Sequence, residues 1–184
     1  MSTAVYVARA FLANLLFLPP RRLYRVFVEG DIGRNNQLQI GDCRFWGPED
    51  FTAVCRSAMD QLGATDDKLF TELTSSGMIT FWLKAPTLKR RVYDRVARYY
   101  SIDPVYYAWG AQGIIAFIAA IHFDEVHTPR FLGVPYETPS SRTAYRQAVV
   151  EWLTTRNYPA ELVEPFHTNS PNQSLQPTAG RSDE

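Results

Sequence analysis

The sequence has almost no cysteine, since Cys43 and Cys55 are its only two thiols in 184 residues. Two cysteines are too few for the disulfide framework of a small secreted protein, so we expect free thiols in a reducing, cytoplasmic setting. Net charge is also lacking, because nineteen basic residues balance nineteen acidic ones. Nucleic-acid-binding domains usually carry a clear positive excess, and we therefore expect no specific nucleic-acid partner.

Long hydrophobic runs are absent as well. The apolar stretches Phe11–Leu18 and Gly113–Ile121 fall well short of the roughly 20 residues that span a bilayer. The first stretch is followed by Pro19-Pro20-Arg21-Arg22 rather than by a cleavage site of small residues, so we do not interpret it as a signal peptide. These features predict a soluble protein without a membrane partner.

The C-terminal segment 168–184 lacks the apolar residues that fill the rest of the chain. Leu175 is its only sizeable apolar side chain, and such a composition cannot offset the entropy of ordering. We therefore expect a single globular domain over residues 1–167 and a disordered tail over 168–184. The tail segment from Gln173 to Arg181, QSLQPTAGR, resembles the read-through of integron mobile gene cassettes into their recombination site. The resemblance is confined to the tail and implies a gene origin, not a chemistry.

Periodicity and end signals predict an α+β fold, with an antiparallel sheet of about four to six strands and three to four packed helices. The predicted helices are an N-terminal one that ends before Pro19, then Pro48–Gly63, Thr87–Tyr100 and a last one from Ser140 or Ser141 to Asn157. The predicted strands are Leu23–Glu29, Leu38–Phe45 (paired with the first in a hairpin), Met78–Lys84 and Val105–Trp109. The patterns of Leu69–Leu73 and Gly113–Phe123 fit a helix or a strand equally well.

Aromatic residues are abundant, with eleven Phe, ten Tyr and four Trp, more than a core of this size needs. Eight of these rings fall between residues 81 and 109, and five of them are the candidate ligand-binding rings: Phe81, Trp82, Tyr106, Tyr107 and Trp109. Adjacent residues on a strand point to opposite faces, so the pairs cannot all enter one core. We predict that these rings line a cavity for a small aromatic or amphipathic organic molecule, bound without catalysis and without a cofactor. Ordinary packing on both faces of a sheet explains the rings equally well.

Basic residues cluster between positions 84 and 98, where Asp94 is the only acidic residue. On the predicted helix, Arg91, Arg95 and Arg98 recur at three- and four-residue steps and form one positive stripe. An anion-binding helix over 84–98 would make the chain a macromolecular-interaction protein, the first alternative function. The stripe also fits a solvated face whose charges pair with Asp66, Asp67 or Glu72.

Side chains suited to metal ligation occur together only at His122, Asp124, Glu125 and His127. Their spacing matches no metal motif. Polar residues are also expected where the chain leaves a buried element for a loop, so we assign no metal here. They would also serve the second alternative function, a small hydrolase-type enzyme.

Nucleophilic or acid–base catalysis has equally weak support. Cys55 lies on the apolar stripe of its predicted helix, while Cys43 is the better nucleophile candidate beside charged neighbours. Glu29, Asp31 and Asp42 would approach one another across the first predicted hairpin, where an acidic, solvated turn is the simpler interpretation. We assign no catalytic residue.

Overall fold

The computed structural model describes residues 36–83 and 93–167, together with the helical positions Val5, Val7, Ala8 and Leu12. The predicted strand 23–29, the predicted tail 168–184 and most of the N-terminal helix lie outside the described residues. The helices of the two continuous ranges are α1 (Glu49–Thr65), α2 (Asp67–Ser75), α3 (Pro104–Ala108), α4 (Gly110–His127), α5 (Pro139–Thr155) and α6 (Ala160–His167). The strands are β1 (Asn36–Ile40), β2 (Cys43–Gly47), β3 (Ile79–Leu83), β4 (Tyr93–Asp94), β5 (Tyr99–Ile102), β6 (Arg130–Phe131) and β7 (Val134–Pro135).

The α+β class is confirmed, but the main sheet is mixed rather than antiparallel. Its five strands have the order β1-β2-β3-β5-β4, and a separate hairpin pairs β6 with β7. The central pairs β2–β3 and β3–β5 are parallel, and only the outer pairs are antiparallel. The helices α1 and α2 connect β2 to β3, and a helical crossover of this kind returns the chain to the same end of the sheet. The predicted order of strand, helix and strand over residues 38–84 already indicates a parallel pair, and the prediction of an antiparallel sheet did not use it.

The single strand predicted over Leu38–Phe45 is wrong, since this segment is itself a hairpin. A two-residue turn at Gly41 and Asp42 separates β1 from β2, and Ile40 pairs with Cys43 across it. Gly41 has a φ of +54°, and a Cβ there would lie 2.5 Å from the carbonyl oxygen of Thr74. Glycine therefore meets both the torsional and the steric demand of the turn.

Two further predictions are wrong in the middle of the chain. Val105–Trp109 is not a strand, because Asp103 caps α3 by accepting a hydrogen bond from the backbone N–H of Val105, and Pro104 occupies the first turn. The predicted helix Thr87–Tyr100 is absent over residues 93–100, where β4, a tight turn and the start of β5 stand instead.

Three predicted elements are confirmed, and the ambiguous ones are resolved as helices. The segment Pro48–Gly63 corresponds to α1, Met78–Lys84 to β3, and the helix from Ser140 or Ser141 to Asn157 corresponds to α5. The two ambiguous segments fall in α2 and α4. Together with α3 and α6, these helices raise the number above the three to four expected.

The helix α4 lies at the centre of the molecule. It packs against α1, α3 and α5, and every residue from Gly113 to Ile121 is buried. Phe117 joins the helix to the sheet through an edge-to-face contact with Phe81, at 6.3 Å between ring centroids. A helix that is apolar all round must be covered on all sides, so the other elements are arranged around it.

Gly113→Ala should lower the free energy of unfolding by about 1–3 kcal/mol, as overpacking does. A Cβ at this position would lie 1.9 Å from the carbonyl oxygen of Tyr106 in α3. Glycine therefore allows α3 and α4 to approach this closely. The matched control is Gly63→Ala in α1, where the nearest atom would lie at 3.6 Å and alanine should stabilise by about 0.5–1 kcal/mol. Urea unfolding of both variants measures the difference, and a stabilised Gly113→Ala would contradict the packing described.

Candidate functional site

Phe81 and Tyr106, two of the five predicted ligand-binding rings, are part of the core. Both contact Phe117 of α4, Tyr106 at 5.3 Å between ring centroids, and Phe81 also stacks on Phe45 at 5.4 Å. Phe81 is fully buried and Tyr106 nearly so. These rings are therefore packing residues between the sheet and the helices.

Trp82 lies on the opposite face of the sheet. Its ring stacks on Tyr99 at 6.0 Å between centroids, and Trp46 meets the same tyrosine edge-on at 6.0 Å. Trp82 and Tyr99 are both buried and do not belong to the core cluster that contains Phe81. Alternation along the strand produces this separation, as expected for adjacent aromatic residues.

Tyr107 and Trp109 lie on and after α3. The Tyr107 hydroxyl donates a hydrogen bond to Oδ2 of Asp50 at 2.9 Å, and its ring packs edge-on against Phe51 of the core. Trp109 is 39% exposed at the junction of α3 and α4. The sheet thus separates Trp82 from Phe81, Tyr106 and Tyr107, so the five rings do not form one cluster.

Arg95, from the predicted anion-binding set, forms ion pairs within the chain. It lies in the turn between β4 and β5 and makes a bidentate contact with Asp124 of α4, at 2.8 and 2.9 Å, and a 3.3 Å contact with Glu137. Burial raises the pKa of Asp124, an effect that Arg95 and the Thr128 hydroxyl oppose. The guanidinium is thus committed to carboxylates of its own chain.

The guanidinium of Arg98 also bonds to groups of its own chain. Its guanidinium donates to both carboxylate oxygens of Glu125, at 2.7–3.1 Å, and to the backbone carbonyls of Ser76 and Gly77 at the end of α2. Tyr100 donates its hydroxyl proton to the same Glu125 at 2.6 Å. Arg95 and Arg98 therefore fasten a turn to α4 rather than present a positive stripe, and Arg91 lies outside the described residues.

The other chemical candidates are also occupied by contacts within the fold. His122 Nε2 lies 3.1 Å from a Glu72 oxygen, and burial lowers the pKa of His122 although Glu72 opposes that effect. Within residues 36–83 and 93–167, no group of His, Cys, Asp and Glu side chains could hold a metal ion. Burial raises the pKa of Cys43 to about 12 and also raises that of Cys55, so both thiols stay protonated.

Of the acidic-turn residues, Asp42 lies in the described part of the chain. Asp42 accepts a hydrogen bond from the backbone N–H of Gly77 at 2.8 Å, which ties the β1–β2 turn to the start of β3. Glu29 and Asp31 lie outside the described residues.

A groove between the end of α5 and α6 is one concave site in the described part of the chain. It is largely open to solvent and has a volume of about 500 Å³, comparable with the roughly 300–1,000 Å³ of small-molecule sites. Its lining consists of Thr154, Asn157, Tyr158, Ala160, Val163, Glu164 and His167. The groove combines an aromatic and aliphatic floor with polar side chains.

Local backbone structure forms this groove. Asn157 ends α5 with a φ of +56°, and the backbone N–H of Tyr158 then bonds to the carbonyl of Leu153 at 3.1 Å. The reversal places α6 beside α5, and the Tyr158 ring rests 5.6 Å from the ring of Trp152. Asparagine tolerates this left-handed conformation better than most residues.

An ion pair between Asp66 and Arg156 lies beside the groove. Asp66 accepts hydrogen bonds from Arg156 at 2.5 Å and from Trp152 Nε1 at 2.9 Å, and Arg156 also lies over the Trp152 ring. Burial raises the pKa of Tyr158 to about 12, although Arg156 acts in the opposite direction. A protonated phenol and Glu164 therefore give the groove a polar side next to its apolar floor.

Sequence reasoning missed this groove because α6 was not predicted. The segment Ala160–His167 has apolar residues at helical spacing, with Leu162 and Val163 buried, but it is short and contains Pro165. Asn157-Tyr158-Pro159 was a usable signal, since asparagine followed by proline two residues later is typical of a helix end.

Comparison of the chain with protein-family models, with curated proteins and with solved structures finds no match. In the described part of the chain no helix is both long enough and apolar enough to cross a membrane.

Arg98→Met should lower the free energy of unfolding by about 1–3 kcal/mol, because it leaves the largely buried carboxylate of Glu125 without its cation. The matched control is Lys68→Met, which removes a highly exposed contact to Glu72 at 4.0 Å and should cost less than about 0.5 kcal/mol. Denaturant unfolding distinguishes the two variants. An Arg98→Met protein as stable as wild type would contradict the role of Arg98 in fastening the turn to α4.

Proposed function

We propose that this protein binds a small aromatic or amphipathic organic molecule, without transforming it, in the groove between α5 and α6. The observation that carries the proposal is the groove itself, with a drug-sized volume of about 500 Å³ and both apolar and polar walls. The site differs from the five rings that the sequence suggested, but the class of ligand stays the same.

The groove suits a ligand with one flat or aliphatic part and one polar end. Tyr158, Ala160 and Val163 offer the apolar contact surface, and Tyr158 adds a ring face. Glu164 and the Tyr158 hydroxyl can hydrogen-bond a donor group such as an amine or alcohol. Arg156 is engaged by Asp66 and does not compete for that position.

A binding role also agrees with the other features of the chain. The resemblance of the tail to integron cassette read-through supports an accessory gene product, which we place in the cytoplasm. The alternative of a basic interaction helix is weakened because Arg95 and Arg98 are bound to Asp124 and Glu125. The hydrolase alternative is weakened because Asp124 and Glu125 pair with arginines and His122 contacts Glu72 within the fold.

Ala160→Trp should abolish ligand binding by filling the groove, because Ala160 is exposed and lines it. The assay is a thermal-shift screen with aromatic and aliphatic amphiphiles such as phenethylamine, benzyl alcohol and dodecyltrimethylammonium below its micelle concentration. A ligand at about 100 times its dissociation constant should stabilise wild type by about 2.7 kcal/mol.

The matched control for this experiment is Ala64→Trp on the exposed side of α1, which should bind like wild type. Calorimetric titration of the best compound gives the affinities of all three proteins. Binding that survives Ala160→Trp would place the site elsewhere, and a screen in which no compound raises the melting temperature would contradict the proposal.

A further inference from the structure

One face of α6 lines the groove and gives it a negative charge. The lining residues of this helix recur at steps of three and four, so they lie on the same side of it: Ala160, Val163, Glu164 and His167. With His167 neutral, Glu164 is the one charged side chain among the described lining residues. These residues include no lysine or arginine. A cleft lined by one sign of charge raises the local concentration of ions of the opposite sign.

The cation beside the groove does not neutralise Glu164. Arg156 pairs with Asp66 at 2.5 Å, and its guanidinium lies over the Trp152 ring, 4.4 Å from the ring centroid. Both contacts direct the guanidinium to residues outside the lining of the groove. The carboxylate of Glu164 is therefore left for a cation that the chain itself does not supply in its described part.

The other polar side chains of the groove are also uncommitted. Thr155, next to the groove on α5, donates its hydroxyl proton to the carbonyl of Glu151 at 2.8 Å, as helical threonines commonly do. By contrast, four groove side chains form no hydrogen bond or ion pair with another described residue: Thr154, Asn157, Tyr158 and Glu164. Each of them has an oxygen that accepts hydrogen bonds. The groove thus offers several acceptors together with one carboxylate.

We propose that the ligand of the groove is an organic cation, a primary ammonium group on an aromatic or aliphatic body, with Glu164 as its counter-ion. This inference rests on the function proposed above and narrows its class of ligand. A primary ammonium group has three N–H donors and no acceptor, which matches a carboxylate accompanied by hydroxyl and amide oxygens. The ring of Tyr158 also attracts a cation placed over its face, and Val163 contacts the apolar body. A ligand with a carboxylate would be repelled by Glu164.

The test is calorimetric titration of the full chain at neutral pH and low salt with three molecules of similar shape: phenethylammonium, 2-phenylethanol and phenylacetate. Wild type should bind the ammonium about fivefold more tightly than the alcohol, the upper range for a solvent-exposed ion pair, and phenylacetate most weakly. Glu164→Gln should lower the affinity for the ammonium to that for the alcohol and leave the alcohol affinity unchanged. Added salt should reduce the preference of wild type for the ammonium, because exposed charge pairs are screened.

Glu161→Gln is the matched control, because Glu161 is an exposed carboxylate of the same helix that does not line the groove. It should leave all three affinities unchanged, and both variants should melt like wild type. Alcohol binding as tight as ammonium binding would overturn this inference alone, as would a preference that Glu164→Gln preserves or that Glu161→Gln removes equally. If none of the three molecules binds, or if Ala160→Trp does not weaken their binding, the proposed function fails and this inference fails with it.

Discussion

The fold depends on the burial of one helix that is apolar around its whole circumference. The run Gly113–Ile121 in α4 exposes almost nothing, so it needs cover from α1, α3, α5 and the sheet at once. Burial of apolar surface contributes about 25 cal/mol per Å² and is the main stabilising term available. The close approach of Gly113 to Tyr106 and the contact of Phe117 with Phe81 show that the surrounding elements pack tightly against α4.

The polar end of the same helix provides the partners of Arg95 and Arg98. Asp124 and Glu125 follow the apolar run directly, and two carboxylates at the edge of a core need partners. Arg95 and Arg98 supply them from the β4–β5 turn. Arg95 and Arg98, the members of the basic cluster that the structure describes, therefore fasten the β4–β5 turn to α4.

The sequence correctly predicts the helices that have residues typical of helix ends together with apolar residues along one face. Pro48 with Gly63 marks α1, and Ser140 and Ser141, which lie in the first turn of α5, mark α5, both at nearly the bounds of the structure. Side-chain alternation gives no strand direction, and the signal for the parallel pair β2–β3 is instead the helical connection between the two strands. Tyr99 and Tyr100 fall in a predicted helix because Leu88, Val92, Val96 and Tyr99 recur at helical spacing, although the pairing of β5 with β3 decides their conformation.

The candidate site was less predictable than the fold. Five rings close together in sequence suggested one cavity, but strand alternation and the start of α3 at Asp103 send them to separate environments. The groove instead depends on Tyr158 and Val163, which become neighbours only through the reversal at Asn157. Contacts of this kind arise from tertiary packing, which the local pattern does not encode.

Native-state hydrogen exchange of the α4 amides tests the central role of this helix most directly. If α4 is the element that the others cover, the amides from Ile114 to Ile121 should exchange only through global unfolding. Their exchange free energies should then equal the free energy of unfolding measured with denaturant. Exchange of these amides at a clearly lower free energy, while α1 stays protected, would contradict the account.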